Sequence, residues 1–207
     1  MSSRDHILAR VRRNEPAWRA LPEIPSFDRP LADPWDAFAK ALARMGGSVA
    51  VPPEGAALDA FLRDRFPEAR VICSATPEVT GTRAVSTVRH AAELDDVDVG
   101  VVRAAFGVAE TGSVWLSERE FGVNALGFLA QHLVVLLDPR SLVADLHHAY
   151  RHPGFREASY AVFMTGPSAT ADIEGVLVRG AQGIRTLTVV PVAAPDASSA
   201  IQPGRTA

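Results

Sequence analysis

Two short stretches gather the residue types that do chemistry. In "VAETGSVWLSE", Glu110 stands among apolar residues just before Thr111, Gly112 and a β-rich run from Val114 to Leu116. A carboxylate partly shielded from water can act as an acid, base or nucleophile, and the Thr111 hydroxyl can hydrogen-bond a ligand oxygen. The same residues also read as a hairpin loop in which Gly112 supplies a positive φ angle. In "YAVFMTGPSATADIE", a strand-like run breaks on Gly166, Pro167 and Ser168 and passes into helix-forming residues. Ile173, Val176, Leu177 and Gly180 fall at i, i+3, i+4 and i+7, which predicts a helix with Ser168 as its N-cap. The amides of Ala169, Thr170 and Ala171 would then leave a corner where a carboxylate or phosphate can dock. The plainer alternative is a cap that satisfies its own helix, with Asp172 complementing the dipole. Asp172 and Glu174 oppose a highly charged phosphate, and no lysine or arginine stands next to Glu110–Gly112 or Gly166–Glu174.

Other reactive side chains point to less. His132 opens the run "HLVVLLD" and is a candidate ligand contact, or else a structural histidine. His147, His148 and His152 fall at the end of an expected helix with no acidic partner at ligand spacing, which favours a structural role over a metal site. Cys73 is the only cysteine, so the 207 residues offer no intrachain disulfide and no four-thiolate cluster. It reads as a small buried hydrophobe in a chain from a reducing compartment. Lys40 is the only lysine, and the P-loop is absent, as are the GxGxxG, GxSxG and HExxH patterns. A net charge of −3 disfavours nucleic acid, and the polar amino-terminal stretch lacks the apolar run of a signal peptide or membrane span. A cytoplasmic protein is the expectation.

The elements that must position these residues follow a recognisable order. Residues 1–32 comprise a short helix around Ile7, Leu8 and Val11, capped by Ser3, and a proline-rich arm that Trp18 and Phe27 can anchor to the domain or to a partner. Residues 33–193 form one α/β domain. Its clearest helix is "DPWDAFAKALARMGG", with Asp33 as N-cap, Pro34 at the first position and glycine after the end. "SVAVP" and "ARVICSA" read as strands around the helix "ALDAFLRDRF", and "SVWLS", "HLVVLLD", "YAVFMTG" and "TLTVVPV" as further strands. "PRSLVADLHHAYRHP" reads as a helix capped by Asp138 and stopped at Pro153. The alternation predicts an open, mostly parallel sheet with helices on both faces. Residues 194–207 lack periodicity and read as a flexible tail.

"VAETGSVWLS", "FLAQHLVVLLDPRSLVADL" and "GPSATADIEGVLVRGAQGIRTLTVVPV", in that order, resemble the LUD-domain family, in particular members like the C component of the bacterial lactate-utilization system. The resemblance implies a fold similar to the NagB/RpiA/CoA transferase-like superfamily, with a site at the carboxyl ends of its strands. It also implies a part in oxidising L-lactate to pyruvate, with iron–sulfur clusters on partner subunits and no cofactor on this chain. The family's AETG motif maps to Ala109, Glu110, Thr111 and Gly112, and its second motif to Gly166, Pro167, Ser168, Thr170, Ala171, Asp172, Ile173 and Glu174. Departures fall at Asn124, Ala130, Gln182 and Ile184. Three functions compete: a subunit of an organic-acid oxidation system, a free-standing enzyme on a sugar phosphate or acyl thioester with Glu110 reacting, and a small-anion-binding regulatory module. All three expect the Glu110 and Ser168 loops to share one pocket.

Overall fold

The computed structural model describes residues 2–25, 30–172 and 174–194; Phe27, Ile173 and residues 195–207 of the expected tail lie outside them. Helix α1 (Ser3–Arg13) begins one residue earlier than Ser3 implied, because Ser2 and Asp5 exchange hydrogen bonds in a capping box. It buries none of its residues, and the arm after it is exposed, Trp18 to 86%. Trp18 therefore does not anchor the arm to its own domain.

Helix α2 (Pro34–Arg44) forms as its cap signals require. The Asp33 carboxylate accepts from the amides of Trp35 and Asp36, and Phe38, Ala41 and Leu42 form its buried stripe. Then come β1 (Ser48–Val49), α3 (Leu58–Arg65), β2 (Ile72–Ser74), β3 (Arg83–Ala84) and β4 (Val99–Arg103). Next are β5 (Phe106–Val108), β6 (Ser113–Ser117), α4 (Glu118–Phe121), α5 (Leu126–Leu129), β7 (His132–Leu137) and β8 (Leu142–Val143). The chain continues through α6 (Leu146–Arg151), α7 (Gly154–Glu157), β9 (Ala161–Met164), β10 (Ala169–Thr170), β11 (Val178–Arg179) and β12 (Thr186–Pro191).

Six strands form a wholly parallel sheet in the order β1-β12-β7-β4-β2-β3. Both faces are covered, which is why β7 is apolar at every position after His132. Leu133, Val135 and Leu137 face a core shared with α2, α5 and β6, while Val134 and Leu136 face one shared with α3. The central strand β4 was not anticipated from sequence, although its run "VGVVR" is buried except at Arg103.

Three expectations are corrected. "SVWLS" and "YAVFMTG" leave the parallel sheet and form β6 and β9 of a second sheet, ordered β8-β5-β6-β9, in which β6 is antiparallel to both neighbours. That sheet sets Val114 and Leu116 on the main core and Phe106 and Trp115 against α6 and α7. The helix expected from Asp138 to Pro153 is divided. Asp138 caps only a single 3-10 turn, Leu142 and Val143 pair with Gly107 and Val108, and α6 starts at Leu146 under the cap of Asp145.

The helix expected after Ser168 does not form: β10 and β11 pair as an antiparallel hairpin, and the Gly180 amide donates to the Ser168 carbonyl at 2.7 Å. Gly175, Gly180 and Gly183 all take positive φ, and Val176 and Leu177 remain 62% and 56% exposed. A helical face there would gain no burial to offset the cost of its glycines. Ser168 is therefore not an N-cap, and the anion corner derived from a helix dipole disappears.

Gly112 and Gly166 have φ angles of +64°, and each packs on the end of α2. A β-carbon at 112 would overlap the Leu42 amide nitrogen, and one at 166 the Met45 carbonyl oxygen. Gly55 has a φ of +74° but open space around it. Gly112→Ala is expected to lower the stability to urea unfolding by about 3 kcal/mol and Gly55→Ala by about 1 kcal/mol. Equal losses would show that backbone strain alone, and not the contact with α2, sets the requirement for glycine.

Candidate functional site

The Glu110–Thr111–Gly112 stretch is the hairpin turn between β5 and β6. The Gly112 amide donates to the Val108 carbonyl, closing the turn, and the Glu110 amide donates to the Ala144 carbonyl at 3.0 Å. These bonds turn the Glu110 side chain outward, where Oε2 accepts from the Leu146 amide at 3.3 Å. It lines a largely apolar cleft of about 650 Å³ together with Ala37, Ala144, Leu146, His147 and Tyr150. A carboxylate and an imidazole at one apolar cleft can hold a polar ligand group or move a proton. Thr111 is turned away from such a role by its hydroxyl contact with Ser113 at 2.5 Å.

The second motif is placed by backbone bonds at the amino ends of the parallel strands. The Ser168 amide donates to the Ile184 carbonyl at 3.0 Å, just before β12, and the Arg185 amide donates to Gln131, just before β7. The Thr170 hydroxyl donates to the Asp172 carboxylate at 3.0 Å on the exposed hairpin. Pro167 lies against the glycine turn that follows α2.

His132 stands at the same amino edge, in a separate cleft with Phe66, Asp98, Gln131 and Arg185. Its Nδ1 is 2.8 Å from the Thr186 hydroxyl, and its ring lies 5.1 Å from that of Phe66. Burial pushes its pKa down, the nearby Arg185 guanidinium adds to the shift, and Asp98 opposes it.

The two motifs do meet, but not through their own polar side chains. The Thr165 hydroxyl donates to the Gly112 carbonyl at 2.9 Å, and Gly112 and Gly166 press on the last turn of α2 from two directions. The second motif then diverges from the first: Gly166, Pro167, Ser168, Thr170 and Asp172 are absent from the Glu110 cleft, as is His132. Ile184 and Ala130, two of the departures noted above, are buried core residues.

Sequence reasoning missed Asp145, His147 and Tyr150 as neighbours of Glu110. The Asp145 carboxylate accepts from the His148 amide, its main cause of a depressed pKa, and also from the His148 ring at 2.8 Å. The signal was legible in "VADLHH" as an N-cap aspartate, obscured by the proline that made Asp138 look like the stronger start.

An open parallel sheet backed by a small mixed sheet defines the class, an α/β domain with its motif loops gathered around one helix end. Residues 36–192 match the LUD domain family, and the chain belongs to it. Lactate utilization protein C of Geobacillus kaustophilus is 28% identical over 148 residues, 67% of this chain and 59% of that protein. The protein of the same name from Deinococcus radiodurans is 31% identical over 104 residues, 49% of each. The chain thus spans about half to three-fifths of the length of the curated relatives it matches. The crystal structure of a DUF162 family protein from Deinococcus radiodurans shares the fold, with a TM-score of 0.61 at 20% identity over 79% of this chain and 100% of that one.

The His132 environment is open to direct measurement. Its folded-state pKa lies below the unfolded value, so its contribution to stability is complete above the unfolded pKa and is lost as pH falls through the folded one. An NMR titration of the His132 ring is expected to give a midpoint below 6.5, raised by Arg185→Gln and lowered further by Asp98→Asn. A midpoint indifferent to both substitutions would refute the assigned electrostatics.

Proposed function

We propose that this chain is a component of a lactate-utilization system, supporting the oxidation of L-lactate to pyruvate in the cytoplasm beside partner subunits that carry iron–sulfur clusters. The observation that carries the reading is membership of the LUD family over residues 36–192, which include both motifs, joined to relatives named lactate utilization protein C. The chemistry of the chain supports this division of labour. Oxidation of lactate releases two electrons, whereas the single thiol of these 207 residues, Cys73, is buried in β2 and its pKa is raised by that burial. Such a thiol is a poor ligand for a cluster shared with another subunit. Among the described residues no helix is long and apolar enough to cross a membrane.

In this reading Glu110 orients a polar ligand or partner group at an apolar cleft, while electrons pass through the partners. A second reading is favoured by the Glu110 and His147 pair: a free-standing enzyme in which Glu110 acts as acid, base or nucleophile on a sugar phosphate or acyl thioester.

The isolated chain is expected to show no lactate-dependent dye reduction, to co-purify with cluster-bearing subunits from its native host, and to raise their lactate-dependent rate on recombination. Glu110→Gln should lower that reconstituted rate about tenfold or more while leaving the melting temperature unchanged. Dye reduction by the chain alone, or a rate that ignores its presence, would overturn the proposal. Glu110-dependent turnover of an acyl thioester by the chain alone would establish the second reading instead.

A further inference from the structure

The amino-terminal helix carries an interaction surface of its own. Arg4, Ile7, Leu8 and Val11 fall at i, i+3, i+4 and i+7, so one face of α1 begins with a guanidinium and continues as an apolar stripe. Arg10 and Arg12 flank that stripe, and the helix holds four arginines against a single aspartate, which the capping box engages. All of these side chains are exposed, and among the described residues none of the arginines is ion-paired. A helix of 11 residues is marginal by itself and gains most of its stability by packing an amphipathic face. Nothing in its own domain supplies that packing, since α1 buries no residue.

The Glu110 cleft has the complementary character. Ala37, Ala144, Leu146 and Tyr150 give it an apolar wall, and Glu110 and Asp145 its acidic groups. Asp145 is engaged by the amide and ring of His148. Glu110 accepts only a long bond from the Leu146 amide, at 3.3 Å, and enters no ion pair among the described residues. An unmatched carboxylate beside an apolar wall suits a guanidinium at the head of an apolar stripe. The whole chain carries a charge of −3, so the remainder without α1 is more acidic still and attracts a basic helix.

Chain geometry decides which copy of α1 fits there. Leu31, on the domain side of the arm, lines the Glu110 cleft itself, so the arm sets out from that cleft. Residues 14–25 include Pro16, Pro22 and Pro25, form no helix or strand and are exposed throughout. Extended as proline-rich segments are, they span about 35 Å, close to the width of a domain of this size. Their stiffness opposes the reversal that would return α1 to its own cleft, while their reach sets it on a neighbouring molecule. With helix and cleft on one chain, two copies can exchange helices reciprocally and close with two-fold symmetry.

We propose that a second copy of this chain fills the Glu110 cleft with its α1, the second copy's Arg4 pairing with Glu110 and its apolar stripe lying on Ala37, Ala144, Leu146 and Tyr150, and that the exchange is mutual. The inference identifies the partner group that the proposed function sets at Glu110, and rests on that reading in this respect alone.

The test is the mass of the full chain by analytical ultracentrifugation, without lactate or other subunits. A species of twice the chain mass is expected at roughly 100 μM. Ile7→Asp, outside the core, and the charge reversals Arg4→Glu and Glu110→Arg should each weaken it about tenfold or more. An equimolar mixture of the Arg4→Glu and Glu110→Arg chains should restore the dimer, because both contacts of the heterodimer then join opposite charges. Only exchange between molecules produces that gain. A monomer at this concentration, whether α1 folds back on its own cleft or awaits a different subunit, would overturn the proposal. So would a dimer indifferent to Ile7→Asp, or a mixture that associates no better than its components. A monomeric chain that still raises the lactate-dependent rate of cluster-bearing subunits would sink the exchange and leave the proposed role standing.

Discussion

The contact that organises this domain is between two glycine turns and one helix end. Gly112 and Gly166 come from different parts of the chain, share a left-handed backbone conformation, and lie so close to Leu42 and Met45 that no side chain fits at either. The Thr165 hydroxyl ties one turn to the other through the Gly112 carbonyl. Through this clamp α2 is held between the two sheets, with Phe38 and Leu42 fully buried where the sheets meet. Interiors pack too densely to absorb an added methyl at such a point, so the two motifs share a packing constraint whatever their polar residues do.

That constraint also separates the chemistry in space. With the turns pinned by their backbones, the Glu110 side chain faces the 144–147 segment while Ser168 and His132 lie at the amino edge of the parallel sheet. The carboxyl edge is built differently. There the strands end in paired ionised side chains: Arg103 from β4 with Glu78 from the loop after β2, and Asp138, immediately after β7, with Arg140. A charge at the end of a buried strand can be tolerated when it is paired, and the pairing holds the loops in place as well as the strands. The two edges therefore have distinct characters, one fastened mainly by amides and glycines, the other by guanidinium–carboxylate pairs.

The amino-terminal segment follows a third logic. Helix α1 is specified by its own cap and contributes nothing to the core, and Ile7, Val11, Trp18, Leu21 and Ile24 all lie on the surface. Its structure is local, whereas that of residues 33–193 depends on contacts distant in sequence. The family match begins at residue 36, inside α2 and beyond the arm.

Local signals were sufficient wherever the decisive interactions span a few residues. Asp33 with Pro34 set the start of α2, apolar runs marked β2, β7 and β12 as buried parallel strands, and "ETG" disclosed a hairpin turn, because caps, burial patterns and positive φ angles are written in adjacent residues. Tertiary structure decided the rest. "SVWLS" and "YAVFMT" have the apolar content of central strands, yet their partners are each other and β5, a choice that only long-range pairing makes. The periodicity after Ser168 was real but found no surface to bury against, so glycine conformation prevailed and a hairpin formed. Where Glu110, Ser168 and Arg103 lie relative to one another depends on strand order and on which edge of the sheet each loop leaves, and no spacing along the chain encodes that.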